Sequence, residues 1–237
     1  MHLLLASSSR IAPSGSRTAP SGSGIPEVLA YLGDAMSAHF PRSGRVAFIG
    51  FAKRDPAEYL EAVRPGFERV GLDLVDPGAS LDGVDGVYVG GGNTFLLVKR
   101  LYETGWMARL RAAVGEGLPY MGASAGSNIA APTLCTTNDM PIVQPPSFDA
   151  LGFVPFQINP HYLDPDPHDT HQGETRVERI AEYHEHNQRT VVGLREGSWL
   201  TLHAGALRLE GDRMARIFRP DGAEEVPPGD LSALLRP

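Results

Sequence analysis

The stretch Pro119-Tyr120-Met121-Gly122-Ala123-Ser124-Ala125-Gly126-Ser127-Asn128-Ile129 decides the fold. A short apolar run ends in Gly122-Ala123-Ser124-Ala125-Gly126, and a helix-compatible segment follows. This is the G-x-S-x-G spacing of a nucleophile elbow. A nucleophilic serine must stand on a tight strand-to-helix turn with its hydroxyl exposed. Gly122 and Gly126 carry no Cβ, so strand and helix can approach closely beside that turn. The amide of Ala125 then falls at a helix N-terminus, where it can donate to a developing oxyanion. The other reading is a plain turn of small residues, because motifs this short occur by chance. The surrounding chain has to choose.

Upstream, short apolar runs predict strands over 2–6, 45–51, 72–75 and 86–89. Val28, Leu29, Leu32, Met36 and Phe40 recur at helical spacing and predict a helix over 26–40. Asp55-Pro56 reads as an N-cap followed by proline at the first helical position, with Pro65-Gly66 placed to break or kink that helix. Leu96, Leu97, Leu101 and Trp106 predict a long helix. Alternating strands and helices imply an α/β fold: a mostly parallel sheet with helices on both faces, and sites beyond the C-terminal strand ends. Gly90-Gly91-Gly92-Asn93-Thr94 joins a strand to a helix at that same edge. It matches neither phosphate-loop pattern. Gly92 is therefore favoured as a second oxyanion donor, with a structural turn as the alternative. Downstream, residues 156–162 run from strand into loop, a charged helix starts near Glu174, 190–194 is a strand, and 199–209 forms a hairpin around Gly205. The tail reads as Pro-rich. No domain boundary is visible, so one domain is expected over 1–237.

At 42% hydrophobic and 21% charged residues, the composition is that of an ordinary globular chain. The single cysteine, Cys135, excludes an intrachain disulfide and fits a reducing compartment. A net charge of −7 with no basic block argues against a nucleic-acid partner. No run approaches the length of a membrane span, and Met1-His2-Leu3-Leu4-Leu5-Ala6 lacks a cationic signal-peptide start. A cytoplasmic protein is expected. The Ser/Pro/Gly segment at 12–24 predicts a flexible loop, more readily a surface loop than an active-site lid.

A serine nucleophile needs a base within reach and a third group holding that base. Of eight histidines, His161 is best placed, at a strand end after Asn159-Pro160. His168, His171, His184 and His186 have spacings that suggest metal, but no matched ligand pair accompanies them. Solvated side chains are the better reading, and neither metal nor cofactor is expected. Glu196, at another strand end, and Asp139, in a polar loop, both qualify as orienter of the base. Spacing alone does not choose between them.

Seven segments together resemble peptidase E, the α-aspartyl dipeptidase family of serine peptidases. They are Gly90-Gly91-Gly92-Asn93-Thr94-Phe95, Ser124-Ala125-Gly126, Thr136 to Val143, Phe148-Asp149-Ala150-Leu151, Gln157-Ile158-Asn159-Pro160-His161, Gly173-Glu174-Thr175-Arg176 and Gly193-Leu194-Arg195-Glu196-Gly197. The resemblance implies a flavodoxin-like sheet related to class I glutamine amidotransferases, with serine in place of their cysteine. It implies hydrolysis of dipeptides with N-terminal aspartate by a monomer, without metal or cofactor. It makes Ser124 the nucleophile and His161 the base and acid. Glu196 or, in another assignment, Asp139 becomes the third member, with Glu196 preferred for its strand-end position. Gly92 and Ala125 become the oxyanion donors. Arg176 becomes the partner of the substrate's aspartate, and Asn93 and Asn159 further substrate contacts. The chain departs from the family's Gly-Trp-Ser-Ala-Gly at Ala123, which implies a reshaped pocket beside the nucleophile. Rival readings are a cyanophycinase-like enzyme cutting β-aspartyl-arginine units, an esterase on the same elbow, and a non-catalytic amidotransferase-like binding module.

Overall fold

Five strands carry the parallel part of the fold: β1 (Leu3–Ala6), β2 (Arg45–Ile49), β3 (Asp73–Val75), β4 (Gly86–Val89) and β5 (Tyr120–Ala123). They come from a computed structural model that describes residues 1–10, 28–165 and 173–236. Further along lie β6 (Gln157–Pro160), β7 (Val191–Leu194), β8 (Ser198–His203), β9 (Ala206–Gly211), β10 (Ala215–Arg219), β11 (Gly222–Val226) and β12 (Gly229–Asp230). The main sheet has the order β12-β9-β8-β1-β5-β4-β2-β3. From β1 to β3 every neighbour is parallel, and β8, β9 and β12 extend the β1 edge antiparallel.

β1, β4 and β5 are buried along their whole length, as parallel strands covered on both faces must be. Their side chains divide with period two. Leu3, Leu5, Val87, Val89 and Tyr120 pack beneath α3 (Thr94–Glu103), α4 (Trp106–Gly115) and α5 (Ala125–Asn128). Leu4, Ala6, Tyr88, Met121 and Ala123 pack against α1 (Gly33–His39) and α2 (Pro56–Glu68). The flavodoxin-like expectation holds, with helices on both faces.

Several local expectations need correction. The long helix over 96–106 is two helices, because Gly105 at φ 74 turns the chain between α3 and α4. α2 runs through Pro65 to Glu68. Its last turn is held by buried Phe67, and Gly66 lies so close to the 28–29 segment that a Cβ there would meet the Val28 carbonyl at 2.9 Å. The described part of the first helix is a 3-10 turn at Ala30–Leu32 leading into α1. β6 and β7 do not join the main sheet. They pair with each other in parallel and form a second sheet, β11-β10-β7-β6. The C-terminal hairpin β8–β9 turns on Ala204 and Gly205, both at positive φ as a two-residue turn of this hand requires. The tail adds β10, β11 and β12, whose short strands the Pro-rich reading hides. The 12–24 segment, His168 and His171 lie outside the described residues. Among the described residues no helix is long and apolar enough to cross a membrane.

A histidine cluster at the N-terminal end of β1 sets a pH dependence. His39, buried in the last turn of α1, has Nε2 3.1 Å from the Tyr120 carbonyl. The His2 ring lies 4.2 Å from it and 4.5 Å from His203. Burial first, and then the neighbouring His2, lower the His39 pKa from 6.5 to about 3. Between these values the unfolded chain binds a proton that the folded chain refuses. The contribution is therefore complete above pH 6.5 and lost as pH falls toward 3, at up to about 1.4 kcal/mol per pH unit. Urea unfolding on either side of pH 6.5 measures it. His39→Gln is expected to flatten the slope; equal slopes in the two proteins would exclude this origin.

Candidate active site

Ser124 stands on the turn from β5 to α5 at φ 54, ψ −112, a conformation that costs about 1–3 kcal/mol for a residue with a Cβ. The packing around it imposes that geometry. A Cβ on Gly126 would lie 2.1 Å from the Val89 carbonyl oxygen, and one on Gly122 2.5 Å from that of Gly126. Ser127 pins the turn by donating its hydroxyl to Ala6 at 2.6 Å, with Gly122 at 2.9 Å. The elbow spacing is thus a requirement of backbone contact.

His161 leaves β6 at φ 53, also in the left-handed region. Its Nε2 is 2.9 Å from Ser124 Oγ, and its Nδ1 is 2.6 Å from Glu196 Oε1. A carboxylate only accepts, so Nδ1 carries the proton and the Nε2 lone pair faces the serine hydroxyl. The three residues come from both sheets. Wholly buried Ser7, just past β1, joins them: its hydroxyl donates to the Leu194 carbonyl at 2.7 Å and accepts from the His161 amide at 2.9 Å. Arg195 holds the Glu196 turn. It makes a two-pronged pair with Asp164 at 2.9 and 2.7 Å, a second with Glu225 at 2.8 and 2.9 Å, and a 2.7 Å bond to the Met214 carbonyl.

These groups open on a cavity of about 570 Å³. Gly91 lies against the nucleophile, where a Cβ would be 2.9 Å from Ser124 Cβ. Gly92, at φ 142, leaves no room for one, which would meet the Ala52 carbonyl at 2.4 Å. The neighbouring Gly90 and Asn93 amides bond to Ile49 and Ala52. Among the described residues, neither the Gly92 nor the Ala125 amide donates to a backbone carbonyl.

The other sequence candidates separate. Asp139 is not at His161. Its Oδ2 accepts from the Thr94 amide at 2.7 Å and hydroxyl at 2.6 Å, at the positive end of α3, and it lines the cavity. Asn93 caps α3 through Leu96 N at 3.0 Å and donates to the Met140 carbonyl at 2.9 Å, so its side chain holds the 136–141 loop at the cavity wall. Asn159 is buried beneath that loop, donating to the Thr136 carbonyl and Asn138 Oδ1, and does not line the cavity. Arg176, first residue of α6 (Arg176–His186), has a half-buried guanidinium with no hydrogen bond or ion pair among the described residues. Burial and then Arg179 push its pKa down, while the Asp139 charge opposes them. Ala123 is wholly buried on the α1/α2 side of the sheet and does not face the cavity. Its departure from the aromatic pattern therefore alters the core. Among the described residues no group of His, Cys, Asp and Glu is arranged to hold a metal ion.

The family model that matches residues 18–210 is Peptidase family S51. The chain belongs to peptidase family S51. The match spans the elbow, His161 and Glu196, while Ser7 lies before it. Over 210 residues the S51 chain is 53% identical to Peptidase E of Streptomyces coelicolor (strain ATCC BAA-471 / A3(2) / M145), covering 85% of this chain and 86% of the relative. It is 42% identical over 200 residues to the "Probable alpha-aspartyl dipeptidase" of Drosophila melanogaster, covering 81% and 83%. A solved peptidase from an acI-B1 Actinobacterium shares the fold with a TM-score of 0.60 at 13% identity, covering 95% of this chain and 93% of that one.

Sequence reading of this S51 chain missed Ser7, Arg195 and the cavity residues Arg10, Lys53 and Tyr59. Arg195 sat in plain view beside Glu196. Ser7 lies in the run Ser7-Ser8-Ser9, which carries no pattern.

Proposed function

We propose that this chain is a serine-type dipeptidase that hydrolyses dipeptides with N-terminal aspartate. The observation that carries the reading is the hydrogen-bonded series Ser124–His161–Glu196, opening on a cavity lined by Asp139, whose charge acts on Arg176. His161 Nε2 takes the hydroxyl proton as Ser124 Oγ attacks the peptide carbonyl, and Glu196 steadies the imidazolium. The amides of Gly92 and Ala125 receive the oxyanion. His161 then gives its proton to the leaving amine as the C–N bond breaks. Water, deprotonated by the same ring, releases the aspartate from its ester on Ser124.

Substrate choice follows from charge. An N-terminal aspartate carries an ammonium and a β-carboxylate close together. Asp139 and Arg176 offer the opposite pair: an anion on the cavity wall and, within reach of its charge, a cation without a partner among the described residues. A guanidinium receives a carboxylate through two parallel bonds. The similarity to Peptidase E and to the "Probable alpha-aspartyl dipeptidase" supports the same choice.

The test is hydrolysis, with EDTA present, of Asp-Leu, Glu-Leu, Asn-Leu, Ala-Leu and acetyl-Asp-Leu. Cleavage of Asp-Leu alone is expected. Arg176→Met should lower kcat/KM for Asp-Leu by about 100-fold and erase its advantage over Asn-Leu. If that advantage survives in the variant, Arg176 does not read the aspartate. Cleavage of β-aspartyl-arginine or of short acyl esters in place of Asp-Leu would move the substrate, and absence of fluorophosphonate labelling at Ser124 would leave a binding module.

A further inference from the structure

The cavity has a second charged end that the mechanism leaves unused. Asp139 closes one end, at the N-terminus of α3 on one face of the sheet. Arg10, just past β1, and Lys53, past β2, stand with Tyr59 of α2 toward the other face. Ser124 lies between, because Gly91 touches it while Tyr59 presses on Gly90, where a Cβ would be 2.7 Å from the Tyr59 ring. Lys53 Nζ is 5.8 Å from the Tyr59 ring centroid, and Arg10 lines the same cavity. Neither has an ion-pair partner among the described residues.

Lys53 is also held in place. Arg100 of α3 donates to the Phe51 carbonyl at 3.2 Å and to the Lys53 carbonyl at 2.5 Å, and the Asn93 amide bonds to Ala52 at 3.0 Å. The turn that presents the ammonium is thus tied to the helix beside the glycine loop. Val28, Ala62 and Val63 complete this end with apolar surface. Cationic groups next to an apolar wall suit an amino-acid residue whose α-carboxylate is free.

We propose that Arg10 and Lys53 form the subsite for the leaving residue, binding the free C-terminal carboxylate of the dipeptide while Val28, Ala62 and Val63 receive its side chain. The inference rests on the dipeptidase reading of this same site. It explains at the level of charge why the enzyme would stop at dipeptides: a longer peptide presents a neutral amide where the two cations expect an anion.

The experiment compares Asp-Leu with Asp-leucinamide, which differ only in that charge. The native enzyme is expected to prefer the free acid by about tenfold or more in kcat/KM. Lys53→Met and Arg10→Met should each reduce that preference severalfold, and the double variant should abolish it. The ratio of acid to amide is the readout, so a general loss of activity does not imitate the result. Equal cleavage of acid and amide by the native enzyme overturns the proposal. So does a double variant that keeps the preference, or one that loses Asp-Leu over Asn-Leu discrimination instead, since the cations would then read the first residue. If aspartate is the wrong first residue, the same leaving groups are compared on whichever first residue is cleaved fastest. The subsite is thereby judged apart from the aspartate reading. Cleavage of no peptide at all would remove the dipeptidase reading and the subsite together.

Discussion

Ser124→Ala is expected to lower turnover of Asp-Leu by about 10⁶ while leaving the fold intact. The size follows from cooperation. In the proposed mechanism the hydroxyl, the imidazole and the carboxylate act on one proton, so removing the nucleophile forfeits the whole unit. What remains is the cavity and the amides of Gly92 and Ala125, which can still polarise a carbonyl for attack by water. The variant should fold because an alanine Cβ occupies the same φ 54 position as the serine Cβ, and the bonds that pin the elbow come from Ser127. Circular dichroism and thermal unfolding check the fold; single-turnover hydrolysis checks the chemistry. A folded variant retaining wild-type turnover would falsify the serine mechanism.

Glu196→Gln should cost about 10⁴ in kcat, and Asp139→Asn far less. The amide side chain keeps the shape of the carboxylate but can present an N–H to Nδ1. That selects the tautomer with the proton on Nε2, which then has no lone pair for the Ser124 hydroxyl. It also leaves the imidazolium without its counter-charge. Arg195 keeps the turn in place through Asp164 and Glu225, so the variant tests the carboxyl group and not the loop. Asp139 is bound to Thr94 and not to the base, so its loss should appear in KM and in the choice of first residue. The pair of kcat values decides the assignment. Nearly normal kcat in Glu196→Gln together with a collapse in Asp139→Asn would reverse it.

How far the sequence could be read differs along the chain. The elbow was legible because its constraint is local. Gly122, Ser124 and Gly126 must be small or exposed within five residues, so the spacing itself records the contact. The strands of the parallel sheet were legible because burial on both faces forces continuous apolar runs. The split between α3 and α4 was not. Leu97, Leu101 and Trp106 all face the core, and Gly105 bends the chain without interrupting their apolar pattern. The second sheet was hidden for another reason. β6 and β7 look like any buried strand, and nothing in four residues says which neighbour they will take.

By itself the sequence determined the parallel α/β layering, the elbow serine, and the set of histidines and carboxylates from which a relay could be drawn. Strand-end position and the family resemblance already favoured His161 and Glu196; their contact belonged to the tertiary structure. His161 and Glu196 lie 35 positions apart and meet only because β6 and β7 run side by side in a second sheet. That sheet is locked to the first through Ser7, 154 positions from His161. The same folding carried Asp139 to Thr94 and Asn159 beneath a loop, and turned Ala123 into the core. Hydrogen bonds act over about 3 Å, whereas sequence patterns record burial and backbone fit over a few residues. Residues chosen for their reach across strands therefore leave no local trace, and their partners appear only when the strands are set beside one another.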